Sequence, residues 1–280
     1  MKKLIATLAT VFTVSMFLSA DVLAAPRNAP TQTNPVCAAG AANAIFNYCT
    51  LTPEKYEITV FEMGLCRTHP FDDGVVTTTT MSQRDCTIFF QNTAGAAVDI
   101  VTFLGGNAAL DGTAIRPASG IYTYPYIIMS IQVTVRGNVK GVPGTANDGV
   151  TFYSKADGNP TNVAPSVDFT SNIDNFGNGA LACFSGFIDE VAENGTIDAF
   201  LVNDAMVRAD EAALLNEACT GITKVIGLMQ LNTPFVITDK TRAINFMFNI
   251  TGMGLGIRTD GNGAISRIQS GPFGGKFEAL

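Results

Sequence analysis

Tyr56–Cys66 reads YEITVFEMGLC, and Cys86–Asn92 reads CTIFFQN. These two runs decide the fold. Tyr56, Ile58 and Val60 alternate with Glu57 and Thr59, the period of two that marks a strand. Phe61, Met63 and Leu65 then take the opposite phase. A change of phase inside one strand means burial on both faces or a bulge near Val60. Thr87-Ile88-Phe89-Phe90 repeats the β-branched and aromatic composition that suits a pleated, half-buried surface. Asn92-Thr93-Ala94-Gly95 supplies turn residues and is expected to end that strand. Cysteines at 66 and 86 bracket the pair, so a Cys66–Cys86 disulfide is expected to clamp neighbouring core strands. Closing a loop of that length contributes about 3 kcal/mol in the chain-entropy picture.

The cysteines also carry information about compartment. All six, Cys37, Cys49, Cys66, Cys86, Cys183 and Cys219, follow a segment with the layout of an export leader. Lys2 and Lys3 form its positive start, and Leu4 to Leu18 is an uncharged apolar run. Val22-Leu23-Ala24 supplies small residues for cleavage after Ala24. The layout looks bacterial, and it predicts a chain delivered to the periplasm, the cell surface or the extracellular space. An even number of cysteines in an oxidising compartment points to disulfides. Sequential pairing is the expectation: Cys37–Cys49, Cys66–Cys86 and Cys183–Cys219. Zinc spacing is missing, because no CxxC occurs and the chain has one histidine.

The formal charge is −7, and loss of Lys2, Lys3 and Asp21 with the leader makes it −8. An acidic surface disfavours nucleic acid and anionic membranes as partners. After the leader no apolar stretch is long enough for a membrane helix. Residues 25–35, containing PRNAPTQTNP, read as an extended proline-rich tether. Residues 36–140 read as a β lobe holding Cys37, Cys49, Cys66 and Cys86. Residues 141–165, rich in Gly, Asn, Pro and Asp, read as a loop-rich connection. Residues 166–280 read as a second β lobe, and the two lobes are also compatible with one domain.

Within the first lobe, Ala97–Leu104 and Ser130–Lys140 read as strands. Pro117–Gly120 turns into a strand that carries Tyr122, Tyr124 and Tyr126 on one face. This lead-in, PASGIYTY, resembles the start of a strand in extracellular β-sandwich modules such as carboxypeptidase-regulatory-like domains. The resemblance is confined to Pro117–Tyr124; it implies a β-sandwich and no activity. In the second lobe, Asn194-Gly195 marks a hairpin, and Ile197–Val202 follows as a strand. Ala205–Cys219 reads as a helix near 204–220, capped by Asn203 or Asp204 and stopped at Gly221. Ala243–Thr251 alternates Ile244, Phe246, Phe248 and Ile250 with Asn245, Met247, Asn249 and Thr251. The fold class that follows is mainly β, an antiparallel β-sandwich with one helix.

Reactive groups are sparse. His69 lies before Pro70 in a loop, and no GxSxG elbow accompanies it. A glycoside hydrolase would need a pair of carboxylates, for which Asp72-Asp73, Asp189-Glu190 and Glu62 are the candidates. Strand alternation gives Glu62 a solvent face. Calcium suits the chain better than catalysis, since hard cations take several oxygens from turns. Asp72, Asp73, Asp174 and Asp260 are the candidate ligands, although Asn, Asp and Gly are also what hairpins require. Beyond calcium, no cofactor is indicated. Tyr122, Tyr124 and Tyr126 are the candidate carbohydrate-stacking row. The sequence thus predicts an exported, non-enzymatic protein of the bacterial envelope or its surroundings. A structural or adhesive role, with self-association or a surface polymer as partner, comes first. A carbohydrate- or other ligand-binding module, with calcium, comes second.

Overall fold

The computed structural model describes residues 15–17, 48–71, 80–103, 107–173, 186–192, 194–208, 221–260 and 264–280. Antiparallel strands dominate. The N-terminal ones are β1 (Ser15–Phe17), β2 (Tyr48–Leu51), β3 (Lys55–Cys66) and β4 (Cys86–Asp99). Two short strands, β5 (Asn107–Ala109) and β6 (Thr113–Ala114), follow. Then come β7 (Gly120–Tyr122), β8 (Tyr124–Ser130), β9 (Gln132–Arg136), β10 (Asn138–Lys140), β11 (Thr151–Tyr153) and β12 (Phe169–Asn172). β13 (Gly186–Ala192) and β14 (Gly195–Val202) form the expected hairpin at Asn194-Gly195. The last six are β15 (Lys224–Leu231), β16 (Phe235–Ile237), β17 (Ile244–Asn249), β18 (Leu255–Thr259), β19 (Ile265–Ser270) and β20 (Gly274–Ala279).

β3 is the axis. Along one edge it pairs with β4, from Glu57–Asp99 to Cys66–Cys86. Along the other it pairs first with β9 and then with β8. The register slips between Val60 and Glu62 against both neighbours, which makes Phe61 a bulge. That bulge accounts for the phase change in the sequence. Before it, Tyr56, Ile58 and Val60 face the core; after it, Met63 and Leu65 do. One extra residue therefore keeps a single apolar face turned inward along the whole strand.

β4 also absorbs an irregularity. Asn92–Gly95, expected to end a strand, lies inside β4 instead. The Asn92 side chain accepts the Ala94 N–H, and Gly95 takes φ of +88°. The turn chemistry is present, but here it makes a bulge because β3 continues alongside and holds both flanks. The strand expected over 97–104 stops at Asp99, and Ile100–Phe103 forms a 3-10 turn. Asp99 fixes that corner by accepting the N–H groups of Tyr56 and Val101.

The sheet forks beside Ile131. β8 carries β15, then β14 and β13, while β9 carries β12. Ile131 serves both branches: its N–H donates to Thr223 and its carbonyl accepts from Ile173. A second layer consists of β2–β18–β19 and β17–β20. Between the layers lies the main core, where Tyr56, Leu65, Ile127 and Met129 meet Phe246, Phe248, Ile257 and Phe277. The Phe246 ring centroid lies 4.4 Å from that of Phe248, edge to face, and 4.5 Å from that of Phe277. Strands from 36–140 and from 166–280 share these sheets and this core. Inside the 141–165 stretch, β11 pairs back onto β10.

Two further expectations change. Asp204 and Ala205 form a turn, Met206 has φ of 59°, and Val207 and Arg208 make isolated bridges, so 204–208 is not helical. Asn203 does act as a cap would, but its side chain takes the N–H groups of Ala205 and Val207 in a tight turn. The remainder of the expected helix lies outside the described residues. β17, read as alternating, is buried on both faces: Asn245 is fully enclosed, and Met247 is buried with it. Ser15–Phe17, inside the segment expected to be a leader, pairs with β5 and lies against β17.

Candidate functional site

The outer face of the main sheet carries the chemistry. Glu62, Gly64 and Cys66 of β3 alternate with the inward Met63 and Leu65. Tyr126 and Ile128 of β8, Ile226 and Leu228 of β15, and Phe200 and Val202 of β14 continue the same face. The Cys66–Cys86 disulfide forms as expected, and the described residues that follow and precede it, 67–71 and 80–85, form a strap against this face. Phe71 and Met81 are the strap's buried anchors.

His69 sits in the strap. Its Nδ1 accepts the Phe71 N–H at 3.2 Å, and its Nε2 lies 3.2 Å from an Asp198 carboxylate oxygen. An imidazole that accepts at Nδ1 carries its hydrogen on Nε2, so Nε2–H donates to Asp198. Tyr124 and Phe200 pack edge-on to the ring at 5.5 and 6.3 Å, and Arg208 lies 4.3 Å over Phe200. Both ring nitrogens are thereby engaged. A general base needs a free lone pair within reach of substrate; this histidine pins a strap to a sheet.

Glu62 is the second centre. Tyr126 donates its hydroxyl to Glu62 at 2.6 Å, and the Gln83 amide donates to the same oxygen at 2.6 Å. Gln91 reaches the other oxygen at 3.4 Å. Strand alternation does put Glu62 on the outer face, but not free in solvent: it is half-buried and held by three side chains. Tyr126 is fully buried, and burial first, then the Glu62 charge, pushes its hydroxyl far above the ordinary phenol range. Gly64, its cross-strand partner, makes room, since a Cβ there would lie 2.4 Å from the tyrosine ring. A glycine inside an apolar strand was the sequence signal for this close approach.

The tyrosine row does not hold together. At Thr123 the chain bends, with its N–H on Cys66 and its carbonyl taken by Leu231. Tyr122 consequently turns into the main core, 2% exposed, donating to Ala118. Tyr126 goes to the outer face, and Tyr124 packs half-buried against His69. Three tyrosines at alternate positions share a face only in an unbroken strand, and this one is broken.

The acidic turns are occupied as turns. Asp260 accepts the Ala264 N–H across a hairpin. Asp148 accepts from Gly144, and Asp157 from Asn159. Asp72, Asp73 and Asp174 lie outside the described residues. Among the described residues no group of three His, Cys, Asp or Glu side chains converges as a metal site. Asp168 instead joins Lys55 at 2.8 Å and Arg136 at 2.9 Å, tying the start of β12 to β3 and β9. The Lys55 hydrogen bond holds the Asp168 carboxyl below its usual range. Cys49 is disulfide-bonded to a cysteine outside the described residues, which also leave out Cys37, Cys183 and Cys219. No protein-family model, curated protein or solved structure matches this chain.

Proposed function

We propose that this chain is an exported, non-enzymatic β-sandwich protein of the bacterial envelope or extracellular space, with a structural or adhesive role. The supporting observation is how its polar groups are used. His69, Asp198, Glu62 and Tyr126, the groups best suited to chemistry, are each bonded to one another or to the backbone across the outer face of the sheet. They fasten the strap that the Cys66–Cys86 disulfide closes. Cross-linking of that kind suits a protein that works through the shape and durability of its surface outside the reducing cytosol.

The test has two parts. Cell fractionation of the source bacterium should recover a chain beginning near Ala25 in the envelope or the medium. Light scattering and negative-stain imaging of that mature chain should then show ordered assemblies or specific adsorption to a surface polymer. A cytosolic, full-length chain with free thiols would refute the reading.

A further inference from the structure

In the second layer β18 runs between β2 and β19. Ile257 of β18 lies opposite Ile268 of β19 and Cys49 of β2, and all three face the core. Side chains alternate along a strand, so their neighbours one residue along face outward. Tyr48, Arg258 and Arg267 therefore form a row across the three strands, Tyr48 opposite Arg258 and Arg258 opposite Arg267. Both arginines are exposed, and Tyr48 is half-buried. The tyrosine leans over Gly256, where a Cβ would lie 2.6 Å from its hydroxyl. It reaches the side chain of Gln269, the cross-strand partner of Gly256.

Like charges placed directly opposite in a sheet repel and cost stability. Such side chains start about 5 Å apart, so both guanidinium groups can close on one anion. Each presents a fork of N–H donors that matches a carboxylate. Among the described residues no ion pair engages either arginine. The acids at the margin are held in turns. Asp260 accepts the Ala264 N–H, and Asp157 accepts from Asn159 where Gly158 meets Ile268. Residues 36–47 and 261–263, which flank these strands in sequence outside the described residues, include no charged side chain. Beside the cationic pair, the Tyr48 ring supplies apolar surface for the C–H groups of a sugar. Gln269 supplies a donor and an acceptor for hydroxyl groups. Carboxylate, C–H face and hydroxyls together describe an acidic sugar.

We propose that the Tyr48–Arg258–Arg267 row binds a carboxylated sugar, a uronate residue of a surface polysaccharide. This rests on the adhesive side of the reading above and names what the surface recognises. The carboxylate sits between the two guanidinium groups and relieves their repulsion, so bound ligand stabilises the fold. The chain as a whole carries −7, which disfavours the unbroken phosphate run of a nucleic acid. A polymer whose carboxylates are spaced among neutral sugars suits a single cationic spot on an acidic protein.

The test uses the oxidised chain and the double variant Arg258→Gln, Arg267→Gln, both at exposed positions. Unchanged far-UV circular dichroism and a Tm no lower than wild type check the fold. The probe is a hyaluronan hexasaccharide, in which glucuronate alternates with a neutral sugar, beside its methyl ester. Calorimetry should show binding by wild type that weakens with salt, and no binding of the ester. The variant should bind the acid at least about tenfold more weakly, the scale of losing charged hydrogen bonds. Equal binding by variant and wild type, or of ester and acid, overturns this inference. So does a wild type that ignores the oligosaccharide. If that wild type still assembles or adsorbs to a neutral polymer, the structural or adhesive reading stands; if it does neither, both fall. Inorganic phosphate or a DNA oligonucleotide held as tightly as the sugar acid would overturn the ligand class named here.

Discussion

Gly64 leaves no room for a side chain, because Tyr126 lies where its Cβ would be. Gly64→Ala forces the buried ring off Glu62 and is expected to cost about 1–3 kcal/mol, the usual range for overpacking. Urea unfolding measures it. Combining Gly64→Ala with Tyr126→Leu should recover part of the loss, since the two positions share one space. Asp168 makes a pH-dependent contribution of known sign. Its folded pKa is depressed, mainly by the Lys55 hydrogen bond, whereas an unfolded aspartate titrates near about 3.9. The stabilisation is therefore complete above about pH 4 and fades as pH falls through the lower folded value. Its side chain is 37% exposed, so solvent screening keeps the effect below about 1 kcal/mol. Asp168→Asn should weaken the protein slightly at neutral pH and match wild type once the wild-type Asp168 carboxyl is protonated in both the folded and the unfolded chain. Denaturant midpoints at neutral and strongly acidic pH would show the two curves converging.

At the level of elements, the strap residues 67–71 and 80–85 are joined at their bases by one disulfide and anchored by Phe71, Met81 and His69. Replacing Cys66 and Cys86 together by alanine should cost about 3 kcal/mol by the loop-closure argument. Hydrogen exchange should quicken first in the described strap residues and in β4 near residue 86, and last at β8 and β15. The β3 bulge and the Cys66–Cys86 clamp were legible in the sequence, because each follows from local alternation or spacing. The Asn92–Gly95 bulge was misread as a strand end. Its residues are turn formers, and only the uninterrupted β3 alongside keeps the chain in the sheet. The 204–208 turn shows the same limit. Asn203 carries a capping side chain whether a helix or a turn follows, and the residues beside it do not separate the two.

For the molecule as a whole, composition and periodicity gave the β class, while the forked topology depends on contacts far apart in sequence. The tyrosine row failed for that reason: the bend at Thr123 is fixed by Cys66 and by Leu231, from opposite ends of the chain. Neither half completes the core alone, since Ile127 and Met129 belong to one core cluster with Phe246 and Phe248 of β17 and Phe277 of β20. Residues 36–140 and 166–280 produced separately are therefore expected not to fold. Each should lack a cooperative melting transition, and mixing them should restore one if β8 finds β15.

The fork beside Ile131 also sets the order in which the protein can be assembled. As the chain emerges N-terminus first into the compartment where it folds, β3, β4 and β8 are out before β15, which lies about 90 residues later in the sequence. Throughout that interval the far side of β8 offers unpaired amides and carbonyls beside Ile127 and Met129. The nascent protein thus passes through a sticky half-built state that the finished one hides. Keeping such half-built chains apart is a task for chaperones of that compartment.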